Sequence, residues 1–123
     1  MNVAVIGASR DPEKFGNKAV RAYRAHGHRV FPVNLHEKEI EGLPVFRSIL
    51  DIPVALDTTL VYVPPAVTLR LLPDLAKKGP GRLFFNPGSE DDAVVARAAE
   101  LGLDPILACS IVAIGDSPAN YPA

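Results

Sequence analysis

Five short apolar runs recur along this chain, and they constrain its fold more than any other feature. They are Val3-Ala4-Val5-Ile6, Arg29-Val30-Phe31-Pro32-Val33, Thr58-Thr59-Leu60-Val61-Tyr62-Val63, Arg82-Leu83-Phe84-Phe85 and Pro105-Ile106-Leu107-Ala108-Cys109. None alternates apolar with polar residues, so none presents one wet face. Short runs rich in β-branched and aromatic side chains fit strands buried on both faces. Such strands belong to a parallel sheet covered by helices.

Helical signals fill the gaps. From Asn17 to His26 the apolar Ala19, Val20 and Tyr23 recur at helical spacing, and Gly27 supplies a stop. Pro65 begins a second helix in which Val67, Leu71 and Leu75 share a face and Gly79 ends the run. Pro73 lacks an N–H and is expected to kink or split that helix. Ser89 is expected to open a third helix, with Asp92 completing a short capping box. Val94, Val95, Ala98 and Leu101 form its buried face, and Gly102 ends it. The segment Leu35 to Val54, with a charged turn at Glu37 to Glu41 and a helical turn near Ser48 to Leu50, reads as an irregular crossover. The tail from Ile111 is expected to pack at its apolar start and fray beyond it.

Strands alternating with helices make right-handed βαβ units. The fold class is therefore α/β, a Rossmann-like, doubly wound parallel five-stranded sheet with the order 3-2-1-4-5. The 123 residues make one domain, residues 1–123. A chain of that size buries about two-thirds of its unfolded surface and needs no staple.

Composition narrows the partners. Lys+Arg 13 against Asp+Glu 14 leaves no basic excess for nucleic acid or an anionic membrane. No apolar stretch approaches the roughly 18–20 residues of a membrane span, and the N-terminus lacks a signal-peptide pattern. The single cysteine, Cys109, has no internal disulfide partner. A cytoplasmic, soluble protein is expected, with neither nucleic acid nor a membrane as its partner.

In a doubly wound sheet, ligands bind at the carboxyl ends of the strands, where the winding reverses. The loop from Gly7 to Gly16 stands there, between a buried strand and a helix. Free backbone N–H groups and the helix dipole favour an anion at such a place. Gly7 permits the tight turn, Ser9 offers a hydroxyl, and Arg10 and Lys14 can neutralise phosphate. A plain structural turn with surface cations is the other reading. The dinucleotide fingerprint is incomplete: Ser9 and Pro12 hold its second and third glycine positions. After the second strand the chain reads Val33-Asn34-Leu35-His36, without the carboxylate that NAD-type sites place on the ribose. His36 and Lys38 suit a phosphorylated ribose, or else belong to a solvated loop. Glu90, Asp91 and Asp92 crowd the third helix's start and would repel a phosphate, leaving the Asn86-Pro87-Gly88 stretch for uncharged contacts.

No catalytic or metal constellation emerges. His26 and His28 flank a helix end, Ser9 lacks the nucleophile-elbow pattern, and Cys109 reads as a small hydrophobe closing a buried strand. Its place at the carboxyl edge leaves a thiol function open.

The stretch Val3 to Ser9, then Pro12, Lys14, Gly16 and Val20, then Gly27-His28-Arg29-Val30-Phe31-Pro32-Val33-Asn34, resembles the small stand-alone CoA-binding protein family. Glu39-Ile40-Glu41-Gly42, Ile52-Pro53, Asp57, Gly88 and Gly102-Leu103 continue the match. That family is similar to the CoA-binding domain of the succinyl-CoA synthetase alpha subunit. The resemblance implies a Rossmann-like domain that binds coenzyme A. By position, Gly7, Ala8, Ser9, Arg10 and Lys14 would hold the phosphates, and Val33 and Asn34 the adenosine end. Val63 and Pro64 would line the cleft, and Asn86 with Gly88 would face the pantetheine arm. Leu35 stands where the family often has proline, and Asn86 where it often has glutamine.

The expected function is binding of CoA or an acyl-CoA without catalysis, since the chain holds neither the phosphohistidine domain nor the nucleotide-grasping subunit of the synthetases. An NAD(P)- or other nucleotide-binding redox sensor or dehydrogenase-like protein is the alternative. An acyl transfer through Cys109 is a third reading.

Overall fold

A computed structural model describes residues 1–123. Strand β1 (Asn2–Ile6) leads into helix α1 (Phe15–Ala25), and β2 (Arg29–Val33) follows. A small hairpin of β3 (Glu39–Ile40) and β4 (Leu43–Pro44) and a 3₁₀ turn (Ile49–Asp51) lie in the crossover. Then come β5 (Thr58–Val61), α2 (Pro65–Lys78), β6 (Arg82–Phe85), α3 (Asp92–Glu100), β7 (Ile106–Leu107) and the short α4 (Ser110–Ala113). No helix is long and apolar enough to cross a membrane.

The main sheet runs β2-β1-β5-β6-β7, with every pair parallel. Outside β2, Phe46 makes a parallel bridge to Val33, its N–H donating to Pro32 and its carbonyl accepting from Asn34. With that bridge counted as the third strand, the expected order 3-2-1-4-5 is complete through β5 and β6, and β7 is a further edge. The third apolar run of the sequence, β5, therefore pairs directly with β1.

Side-chain parity explains the unalternating runs. Val3 and Val5 join the core under α1 with Ala19, Val20, Tyr23, Val30, Leu60 and Phe84. Ala4 and Ile6 join the opposite core with Phe31, Val33, Val61, Leu72, Leu75, Leu83, Phe85 and Val94. Both faces are buried, as a helix-covered parallel sheet requires.

Four local expectations are corrected. Pro73 sits exposed inside α2, which runs unbroken from Pro65 to Lys78. The third helix begins at Asp92 with Asp91 as its cap, whose Oδ1 accepts from Val94 N at 2.9 Å; Ser89 is buried ahead of it. The fifth run is not a buried strand: Ile106 and Leu107 form a two-residue exposed edge, and Cys109 precedes α4 as its half-buried cap residue. The tail does not fray. Lys18 Nζ donates to the Tyr121 carbonyl at 2.6 Å, and Arg21 donates to the carbonyls of Tyr121 and Pro122. Asp116 gathers Tyr121 Oη, Asn120 Nδ2, Ser117 N and His26 Nε2. Those hydrogen bonds, Tyr121's foremost, hold the Asp116 carboxyl well below the usual carboxylate range and in turn push the Tyr121 phenol up.

Candidate ligand-binding groove

The winding reverses at β1, so the crevice opens above Ile6. Gly7 turns there with φ of 83°, and a Cβ on it would lie 2.9 Å from Val63 Cγ1 and 3.0 Å from the Tyr62 carbonyl carbon. Nine residues on, Gly16 brings the start of α1 against that turn: its missing Cβ would fall 2.2 Å from the Gly7 carbonyl oxygen. Close helix-to-strand packing is the task of the third fingerprint glycine in dinucleotide sites. Here a longer loop moves that task from the Pro12 position to Gly16.

This loop is rich in unused donors. The backbone N–H groups of Ala8, Ser9, Arg10, Phe15 and Gly16 have no acceptor within the protein. No side chain caps α1, whose first turn carries no acid. Ser9 Oγ accepts from Asp11 N at 3.0 Å and keeps its own hydrogen free. The contrast with α3, capped by Asp91 and carrying Asp92, is complete. An anion is favoured at α1 and disfavoured at α3.

Two hollows flank this point and share Gly7 and Val63. One, of about 240 Å³, is mostly apolar and lies among Val33, Asn34, Leu35, Val67 and Leu71, with His36 and Arg47 at its rim. The other, of about 460 Å³, runs past Lys14 and Phe15 to Pro64, Pro87, Gly88 and Ser89. It continues through Phe15, Tyr62 and Pro87 into an apolar slot of about 130 Å³ that ends on Asn86 and Cys109. A separate polar basin of about 710 Å³, without an apolar residue, holds Arg10, His36 and Lys38 together with Glu37, Glu39 and Glu41. It adjoins the first hollow through His36.

The candidate residues are thus gathered at one sheet edge but divided among these spaces. Gly7, Val33, Asn34, His36 and Val63 surround the first hollow, while Lys14, Pro64 and Gly88 line the second. Arg10 and Lys14 do not converge. Arg10 stands exposed in the polar basin, 3.5 Å from Glu37 Oε2, whereas Lys14 lies in the cleft and forms no ion pair. Ala8 is buried and contributes its backbone. Asn34 braces the loop, with Nδ2 donating to the Ala8 carbonyl at 2.9 Å and Oδ1 accepting from the N–H of His36 and Glu37.

Asn86 is buried and its amide is engaged with the protein. Nδ2 donates to the Val61 carbonyl, and Oδ1 accepts from both Ser110 N and Ser110 Oγ. Tyr62 Oη lies 2.6 Å from Ser110 Oγ. Because the Ser110 hydrogen is taken by Asn86, the Tyr62 hydroxyl donates and keeps a lone pair free. Burial pushes the Tyr62 phenol above its usual range, and the Tyr23 phenol, bonded to the Ser110 carbonyl, up to about 12. Tyr62 therefore keeps its proton at neutral pH.

The sequence reading missed Phe15, Tyr62, Arg47, Val67 and Leu71. Phe15 carried the one available signal: a large aromatic at the first position of a helix, on no apolar stripe, and 57% exposed. Tyr62, Val67 and Leu71 were read as strand or helix, and Arg47 fell in the irregular crossover.

An open parallel α/β sheet with an uncapped helix start at its switch point, flanked by apolar hollows, defines a nucleotide-cofactor-binding domain. The chain belongs to the CoA binding domain family, whose sequence profile matches residues 1–115. It is 35% identical over 78 residues to the alpha subunit of acetate–CoA ligase (ADP-forming) II of Pyrococcus furiosus, covering 63% of this chain and 17% of that protein. A conserved hypothetical protein from Pyrococcus furiosus superposes with a TM-score of 0.83 at 31% identity, covering 91% of this chain and 97% of that one. The dinucleotide-forming acetyl-coenzyme A synthetase 1 of Ca. Korarchaeum cryptofilum, solved with phosphate and ADP, gives 0.72 at 28% identity, covering 88% of this chain and 25% of that one. The chain thus spans a small part of the ligases it matches and nearly the whole of one solved relative.

Proposed function

We propose that this groove binds coenzyme A, or an acyl-CoA, without a reaction of its own. One observation carries the reading: the order of chemical environments along the groove. An apolar hollow is followed by a cluster of free N–H groups beside Lys14, and then by a cleft that passes Pro64 and Pro87 into an apolar slot. Purine, diphosphate and pantetheine follow one another in the same order along CoA. The polar basin that meets the first hollow at His36 holds Arg10 and Lys38 for a ribose phosphate, with Glu37, Glu39 and Glu41 beside them offsetting their charge. Binding without reaction is supported by the cleft's side chains. The polar side-chain atoms behind them bond one another, Asn86 with Ser110 and Ser110 with Tyr62.

Calorimetric titration with CoA, dephospho-CoA, acetyl-CoA, NAD and NADP tests the proposal. CoA should saturate at about micromolar concentration and bind more weakly as salt is raised. Absence of saturable heat with CoA, or tighter binding of NAD or NADP, refutes it. Acetyl-CoA incubated with the protein should be recovered intact by chromatography, and its hydrolysis or transfer to the protein would refute the non-catalytic part.

A further inference from the structure

The slot at the end of the cleft is the least polar of the groove's spaces. Five residues wall it: Phe15 from the start of α1, Tyr62 following β5, Asn86 and Pro87 following β6, and Cys109 ahead of α4. It shares Phe15, Tyr62 and Pro87 with the cleft, so a ligand anchored by its phosphates at the α1 start extends toward it. Its surface is almost wholly apolar, because the Asn86 amide and the Ser110 hydroxyl bond each other behind it. Those bonds also make the wall rigid: Asn86 is pinned to β5 through the Val61 carbonyl, and Tyr62 to Ser110.

Resting on the CoA reading above, we infer that this slot receives the sulfur end of the ligand, and that it admits the free thiol or a short acyl thioester while excluding longer chains. The size decides the limit. At about 130 Å³ the slot is far smaller than the cleft of about 460 Å³ from which it opens. An acetyl thioester places four non-hydrogen atoms there: sulfur, carbonyl carbon, carbonyl oxygen and methyl. A chain several methylenes longer must overpack a wall fixed by hydrogen bonds, or leave the slot and lie in water. The free lone pair of Tyr62 Oη suits an S–H or amide N–H donor, so the bare thiol is not penalised relative to acetyl.

The test is an affinity series with the whole protein: CoA, acetyl-, propionyl-, butyryl-, octanoyl- and palmitoyl-CoA. CoA, acetyl- and propionyl-CoA should agree within about threefold, and octanoyl-CoA should bind at least about tenfold more weakly. Phe15→Ala removes an exposed side chain from the rim and should recover part of the octanoyl loss. A second measurement locates the sulfur directly. In thiol–disulfide exchange with CoA disulfide, the Cys109 thiolate attacks one sulfur, a Cys109–CoA disulfide forms, and one CoA leaves as its thiolate. That adduct should form faster than the glutathione adduct from glutathione disulfide, and excess acetyl-CoA should slow it. Equal affinities across the series, or equal rates for the two disulfides, overturn the inference while leaving CoA binding intact. Failure of CoA itself to bind overturns the underlying reading.

Discussion

Gly16→Ala separates the architecture of the groove from general helix stability. In an exposed helix interior, glycine to alanine gains up to about 1 kcal/mol from helix propensity, and less in the first turn. At position 16 the new Cβ would sit 2.2 Å from the Gly7 carbonyl oxygen and 3.1 Å from its carbon, with Ala8 Cα at 3.3 Å. All three are backbone atoms of the turn that carries the free donors, so no flexible side chain can move aside. Opening that contact to at least 3.0 Å pushes the start of α1 away from Gly7. Overpacking of this kind costs about 1–3 kcal/mol, which outweighs the propensity gain. The expected outcome is a net loss of about 1–2 kcal/mol, a fall in Tm of about 4–8 °C, and CoA binding at least about tenfold weaker. Gly27→Ala is the matched control. It has φ of 85° and nothing within 4 Å of the new Cβ, so it bears about 1 kcal/mol of backbone strain and should leave CoA affinity unchanged. Thermal unfolding and calorimetric titration of both variants decide the matter. A Gly16→Ala protein with wild-type Tm and affinity, or a Gly27→Ala protein that loses both to the same degree, refutes the assignment of Gly16 to the groove.

The separation of Arg10 from Lys14 predicts a ligand-dependent split: Lys14→Ala should weaken CoA and dephospho-CoA alike, by about five- to tenfold at low salt, while Arg10→Ala should weaken only CoA, by about two- to fivefold. Equal losses for both ligands in both variants would show that the two cations share one phosphate. Asp91→Ala should destabilise the domain by about 1 kcal/mol through loss of the α3 cap, read as a lower urea midpoint with CoA affinity unchanged. Asp116 titrates lower in the folded chain than in the unfolded one, so its contribution is present above about pH 4, the unfolded value, and is lost as pH falls through the folded value. Asp116→Asn should therefore unfold more readily than wild type at neutral pH, and the two midpoints should converge in acid. A gap that stays constant with pH would show that the carboxylate charge does not hold the tail.

What could be read from the residues follows their distance in sequence. The first four apolar runs were legible as strands because burial on both faces removes the polar alternation, and β1, β2, β5 and β6 coincide with them to within a residue or two. Charge at a helix start was equally legible, since capping acts within one turn: Glu90, Asp91 and Asp92 marked α3 as closed to phosphate, and Asp91 is its cap. The exposed edge at Ile106–Leu107 was misread because an apolar run does not say whether a neighbouring strand or helix covers it. The tail was misread for a related reason. Its order comes from Lys18, Arg21 and His26 on α1, about a hundred residues away, and a polar, proline-rich segment carries no mark of partners so distant.

The groove itself shows where local reading stops. Arg10 and Lys14 are four residues apart, the spacing that puts two side chains on one face of a helix, and both follow the first strand. The intervening chain is not helical: the Asp11 carboxylate accepts from Glu13 N and the Asp11 carbonyl accepts from Lys14 N, which folds the segment back before α1 begins. That turn directs the two cations into different spaces, one toward Glu37 and the polar basin, the other toward Pro64 and Gly88. The reversal also lets Gly16 close on Gly7, and this close approach brings Phe15 beside Tyr62 and Pro87 at the mouth of the slot. One loop conformation thus sets the positions of the charge, the free N–H groups and the apolar rim together. A substitution that straightened the turn at Asp11 should therefore disturb binding of the nucleotide end and selection at the sulfur end in a single step, although neither end touches Asp11.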